Sequence, residues 1–174
     1  TKLIDKVEEK LGHSPHPMVV TLPLGAWAVS NICDVLGLVT GERAYDDTAR
    51  ISMGIGLLGA STAVVTGLRD FAGISKERPS HAIATRHAIG NAIVGSLISM
   101  SYLMRQRDRR PGLMTRMLAL AGGGLGVYTA WLGGKLVEEH GEGVKPVMEE
   151  LKVEEENRRQ TAQPWQRQPA GVIH

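Results

Sequence analysis

The chain has one cysteine, Cys33, and one phenylalanine, Phe71, among its 174 residues, and aromatic side chains make up only 4% of it. A lone cysteine excludes an intrachain disulfide and an iron–sulfur cluster held by this chain alone. The shortage of large rings counts against a water-soluble core, which normally draws much of its buried area from them. Excess charge is missing too: the formal net charge is +2, far from the basic face that nucleic-acid binding requires, so that class is dropped. The first sixteen residues are amphipathic and charged, without the basic start, apolar stretch and small-residue cleavage site of a secretory signal. The first apolar segment is therefore expected to serve as its own insertion signal. No His-Glu-x-x-His motif occurs, and the glycines Gly122 to Gly124 lack the strand-turn-helix context and Lys-Ser/Thr pair of a phosphate cradle.

The chain does have long runs without charge. Hydrophobic residues make up 43% of it, an ordinary value for a soluble protein, but they are segregated. Four uncharged runs, Pro17 to Cys33, Ile51 to Leu68, Ala88 to Met104 and Met117 to Gly134, are each seventeen or eighteen residues long. At about 1.5 Å of rise per residue that is the short end of what crosses a hydrocarbon layer of roughly 30 Å. Flanking residues extend the runs, Val35 to Val39 past Asp34 in the first and Leu136 and Val137 past a snorkelling Lys135 in the fourth. A helix in a soluble bundle shows a charged face every three or four residues, and none of the four does. The expected fold is all-α: a transmembrane antiparallel four-helix bundle with a polar C-terminal extension. Its parts are an amphipathic segment over 1–15, the helical domain over 16–145 and a polar arm over 146–174.

Small residues mark the expected helix contacts. Gly59, Ala63 and Gly67 recur every fourth residue in the second run, as do Gly122, Gly126, Ala130 and Gly134 in the fourth. That spacing places them on one helical face, where missing bulk lets backbones approach in lipid. The connections read as loops over Gly41 to Arg50, Arg69 to Pro79 and around Pro111-Gly112. Arg43, Arg50, Arg105, Arg107, Arg109, Arg110 and Arg116 fall at one face, and the basic-residue rule makes that face cytoplasmic, with both termini outside. The location expected is thus a bacterial cytoplasmic membrane, crossed several times.

Antiparallel spans gather distant residues. His16, Asp70, His87 and His140 all fall at the same end of the bundle. His87, Asn91, Gly95 and Ser99 repeat at intervals of four, giving a polar or small inward face. His87 is either an interfacial residue with Asn91 bonding between helices, or a ligand to haem b or a metal ion, with Gly95 leaving room for a flat ring. His16, before Pro17 and one to two turns before a helix-kinking Pro23, and His140, before Gly141, are the other candidate ligands. Asp34 and Asn31 lie toward the far end of the first run. An acid there is costly, so it pairs inside the bundle, lines a polar path or snorkels to the loop. Trp27, Tyr128 and Trp131 serve packing or stack on a cofactor. After Pro146 an acidic-to-basic stretch suits a surface helix. Beyond Gln160 an extended arm carries Trp165, a large aromatic best explained by a partner.

The stretches His16-Pro17-Met18-Val19-Val20-Thr21-Leu22-Pro23-Leu24-Gly25, Gly67-Leu68-Arg69-Asp70-Phe71, Arg86-His87-Ala88-Ile89-Gly90-Asn91, Trp131 to Val137 and His140 to Val144 occur in that order. Together they resemble a family of small predicted bacterial membrane proteins filed as a domain of unknown function, DUF2231. The resemblance implies four membrane helices over about His16 to Val144. Relatives joined to or encoded with Rieske iron–sulfur modules imply an electron-transfer setting with haem or quinone, with His16, Asp70, His87 and His140 as the matching residues and the cluster on a partner. Three functions follow as expectations. The first is a non-catalytic membrane subunit of a larger complex or homo-oligomer, the second a b-type haem or metal redox protein, and the third a small transporter with Asp34 and Asn31 along its path.

Overall fold

A computed structural model describes residues 2–162. All regular structure among them is helical: α1 (Lys2–Leu11), α2 (His16–Val19), α3 (Thr21–Thr40), α4 (Arg43–Ala72), α5 (Ser80–Arg107), α6 (Leu113–Glu138) and α7 (Lys145–Ala162). The protein is all-α, and two of its segments, His16–Thr40 and Arg43–Ala72, are long and apolar enough to cross a membrane. Helices α5 and α6, at 28 and 26 residues, match them in length. Their glycines and hydroxyls lower the hydropathy without adding a charged face.

Local chemistry sets the breaks. Gly41, with φ of 72°, ends α3 in the left-handed conformation that glycine adopts without strain, its N–H donating to the Gly37 carbonyl at 3.0 Å. Helix α4 starts two residues later at Arg43, so most of the expected loop from Gly41 to Arg50 is helix. Asp46 then falls in the first turn, where an acid complements the helix dipole. The expected kink near Pro23 appears as the break between α2 and α3 at Val20. Pro23 has no N–H to offer the carbonyl four residues back, and its ring crowds that carbonyl.

Each of the four long helices packs on two others: α3 on α4 and α6, and α5 on α4 and α6. The buried apolar cluster at their centre is small, namely Trp27, Met53, Val94, Ile98 and Ala119. Large apolar side chains point outward instead, with Val39 at 78%, Leu58 at 75% and Val127 at 73% exposure. The first and last described helices are fixed to the bundle by ion pairs. Arg69 of α4 holds Asp5 of α1 at 2.8 Å and also pairs with Glu8. Arg78, in the link between α4 and α5, pairs with Glu155 of α7 and with Glu142. The stretch read as a surface helix after Pro146 is α7; Trp165 and the arm around it lie outside the described residues.

The small-residue seams follow the expected face for part of their length. Gly59 lies under Leu22 and Pro23, and Gly67 under the His16 ring, while Ala63 between them is buried. On α6, Gly122 meets Ile98 and Gly126 faces Val94. Ala130 is exposed and Gly134 borders open space, a departure from the expected stripe. Steps of four residues advance about 40° beyond a full turn, so a long i+4 row walks off the contact face. Thr129 and Gly133 take the seam over, against Gly90 and His87.

Candidate functional site

Two polar groups occupy opposite ends of the four helices. At one end the last turns of α3 and α5 meet the first turns of α4 and α6. Asp34 of α3 accepts a 2.6 Å hydrogen bond from Arg105 Nη2 on α5. Arg116 Nη1 on α6 donates to the Asp34 carbonyl at 2.8 Å and lies 3.3 Å from its carboxylate, while Nη2 reaches Asp46 of α4 at 2.6 Å. The Asp34 side chain is fully buried and that of Arg105 only 1% exposed. Arg105 Nε points to Ser101 Oγ, whose hydroxyl donates to the Thr115 carbonyl at 2.7 Å. Gly37 makes this approach possible, because a Cβ there would sit 2.7 Å from Asp46 Oδ1 and 3.2 Å from Arg116 Nη1. Four charges, two of each sign and one from each helix, thus cancel inside the protein. That is the arrangement in which buried ions are tolerated.

Arg105 and Arg116 were expected at the surface, among the arginines that set membrane orientation, and the structure places both inside. The signal that pointed to them was Asp34 itself, since an acid in an apolar run needs an internal cation. Which of seven arginines answers it depends on helix rotation, which the sequence does not display. Of the three expectations for Asp34, pairing inside the bundle is the one the geometry fits. Asn31, one turn earlier, packs against Gly123 of α6, where a Cβ would collide with the amide.

At the other end lie the histidines. His16 and Asp70 are close: Ser14 Oγ donates to Asp70 Oδ2 at 2.5 Å and accepts the His16 backbone N–H at 3.2 Å. His16 Nδ1 bonds Thr66 Oγ1 at 3.0 Å, and the ring rests on Gly67. His87 lies within electrostatic reach of His16. Its Nδ1 donates to the Thr129 carbonyl at 2.8 Å and its Nε2 accepts from Asn91 Nδ2 at 3.0 Å. Thr129 Oγ1 closes the circuit by donating to Asn91 Oδ1 at 2.9 Å. Both nitrogens of His87 are therefore engaged, and Gly95, expected to leave room for a ring, borders open space away from other helices.

His140 lines a cavity of about 330 Å³ past the end of α6, shared with Arg78, Ser80, Glu142, Leu151 and Glu155. Gly141, with φ of 65°, turns the chain there and brings it back to the bundle end, where the Ser14 backbone N–H donates to the Gly143 carbonyl at 3.5 Å. Arg78 is buried in this wall. Burial works against its charge, but the hydrogen bond it donates to Glu155 and the charges of Glu142 and Glu155 outweigh that and raise its pKa above the ordinary arginine value. Among the described residues no three His, Cys, Asp or Glu side chains gather into a group able to hold a metal ion. Trp131 is exposed at 57%, with Tyr128 beside it at 5.9 Å and Lys135 5.0 Å over its ring, whereas Trp27 is buried.

An all-helical chain with apolar side chains outside, charges inside and two helices fit to cross a bilayer is a protein of the membrane type. The chain belongs to the family described as Predicted membrane protein (DUF2231), whose model matches residues 12–146. The match takes in α2 to α6 and both polar ends, and leaves α1 and nearly all of α7 outside. Comparison with curated proteins and with solved structures gives no match.

Proposed function

We propose that all four long helices cross the bilayer and that the protein is a non-catalytic subunit of a larger membrane complex. The observation that carries this reading is the inversion of polarity. Val39, Leu58, Val127 and Leu68 are at least 60% exposed, while Asp34 and Arg105 are buried. Water would penalise such an outer surface, and a hydrocarbon solvent favours it. Charged side chains inside a membrane face one another, as these do. Helices α3 to α6 offer lipid, or the helices of a partner, an uncharged surface. Helix α7, held at the bundle end by Arg78, is the polar element available to a subunit outside the bilayer. Five of the seven arginines that set the orientation, Arg43, Arg50, Arg107, Arg109 and Arg110, remain at the end expected to be cytoplasmic.

Membranes washed with sodium carbonate test the first part. The protein stays in the pellet and enters solution only with detergent; release by carbonate alone refutes the proposal. Detergent-solubilised native membranes test the second. The full chain migrates with a complex larger than itself, and deletion of 145–174 reduces that association. A chain that migrates alone, with or without those residues, overturns the subunit role.

A redox role remains as a second reading, because Nδ1 of His87 is anchored on a backbone carbonyl, the usual orientation of a ligating histidine. The ligand nitrogen would be Nε2, which must exchange Asn91 for the haem or metal. A Soret band in the purified chain, shifted by dithionite, supports that reading, and a featureless spectrum removes it.

A further inference from the structure

The inward face of α3 carries Trp27, Ser30, Asn31 and Asp34, spaced i, i+3, i+4 and i+7. Asp34 is bonded to Arg105 and Arg116. The polar atoms Trp27 Nε1, Ser30 Oγ and Asn31 Oδ1 are buried without a protein hydrogen-bond partner, and so is Arg105 Nη1. Ser30 is fully buried and Arg105 is 1% exposed, so bulk solvent does not satisfy them. Orphaned polar atoms of this kind are costly in any protein interior and more so in hydrocarbon.

We infer that this face of α3 binds internal water, in a hydrated polar file that runs from the Asp34–Arg105 pair to Trp27. The donor set selects the ligand. Trp27 Nε1 and Arg105 Nη1 only donate, Asn31 Oδ1 only accepts, and the Ser30 hydroxyl does both. An anion would satisfy the two donors and oppose the Asn31 oxygen; a cation would do the reverse. Water donates and accepts, and a buried water ordinarily makes about three such bonds. The neighbouring charges leave no net pull on an ion, because Asp34 and Asp46 balance Arg105 and Arg116. The file stands on the packing of α3 and does not depend on the subunit role.

Pulsed hydroxyl-radical labelling of the intact protein in lipid nanodiscs tests it, since internal water generates radicals beside buried side chains. Trp27 and Met53 share the same buried cluster, and methionine is intrinsically the easier to oxidise. The file predicts that Trp27 is modified severalfold faster than Met53; equal protection of both overturns it. A second readout is magnetisation transfer from water to the Trp27 indole N–H in the nitrogen-15-labelled protein. Transfer is expected because an internal water is bonded to that N–H, and its absence counts against the file.

Discussion

Asp34 and Arg105, 71 positions apart in the chain, meet in a 2.6 Å hydrogen bond with both side chains shut away from solvent. This pair links α3 to α5 across the bundle, and Arg116 ties the same carboxylate to α6 and to Asp46. Large stability effects are expected from it, because its charges are buried and compensate one another.

Removing one charge alone leaves its partners buried and uncompensated. Asp34→Ala is expected to destabilise the protein by about 3–5 kcal/mol, and the double variant Asp34→Leu with Arg105→Met by much less. Thermal unfolding of the unmodified protein and the two variants in one detergent checks this. A double variant as unstable as the single one contradicts the pairing.

Glycine positions divide by what a methyl group would meet. Gly56→Ala strikes the Trp27 indole and Gly123→Ala the Asn31 amide, and overpacking of this kind costs roughly 1–3 kcal/mol. Gly124 and Gly134 border open space, so alanine there is neutral or stabilises by up to about 1 kcal/mol through helix propensity. Melting temperatures of the four variants should fall into these two groups.

His87 has a fixed tautomer, because the Thr129 carbonyl accepts only from a protonated Nδ1 and Asn91 Nδ2 donates to a bare Nε2. Nitrogen-15 spectra of the labelled protein should show the neutral imidazole as the Nδ1–H tautomer. Asn91→Ala should perturb the Nε2 signal and leave the Nδ1 bond in place.

Arg78 fastens α7 to the bundle. Its pKa is raised, so its contribution is present at every pH below the ordinary arginine value and is lost only as pH climbs through the still higher folded-state value. Protease sensitivity of α7 should therefore stay flat from neutral to moderately alkaline pH. Arg78→Ala should instead release α7 at neutral pH, read as earlier cleavage within 145–162 while α3 to α6 stay intact.

Much of the helical layout could be read along the chain. Charge-free runs located four helices, Gly41 and Pro23 marked where backbone geometry changes, and Gly59, Gly67, Gly122 and Gly126 marked contacts. These signals are local, each depending on residues within one or two turns. The loop at Gly41 to Arg50 was misread because charged residues look like solvent-exposed turns, whereas here Asp46 faces inward to Arg116. His140 follows the same helix end as His16 and His87. The left-handed Gly141 there folds the turn back onto Ser14 while His140 lines the cavity beside Arg78 and Glu142, and a helix end alone does not record which neighbours a side chain meets.

The sequence by itself determined that this protein is helical and apolar on its outside, because both follow from periodicity and from the placement of charge. Only the tertiary structure decided that Arg105 and Arg116, and not their neighbours, enter the interior. The rotation of α5 and α6 about their own axes is set by packing at Gly37, Ser101 and Gly122, where bulk is absent. A buried carboxylate requires a cation within bonding distance, and which cation arrives is a property of three helices at once.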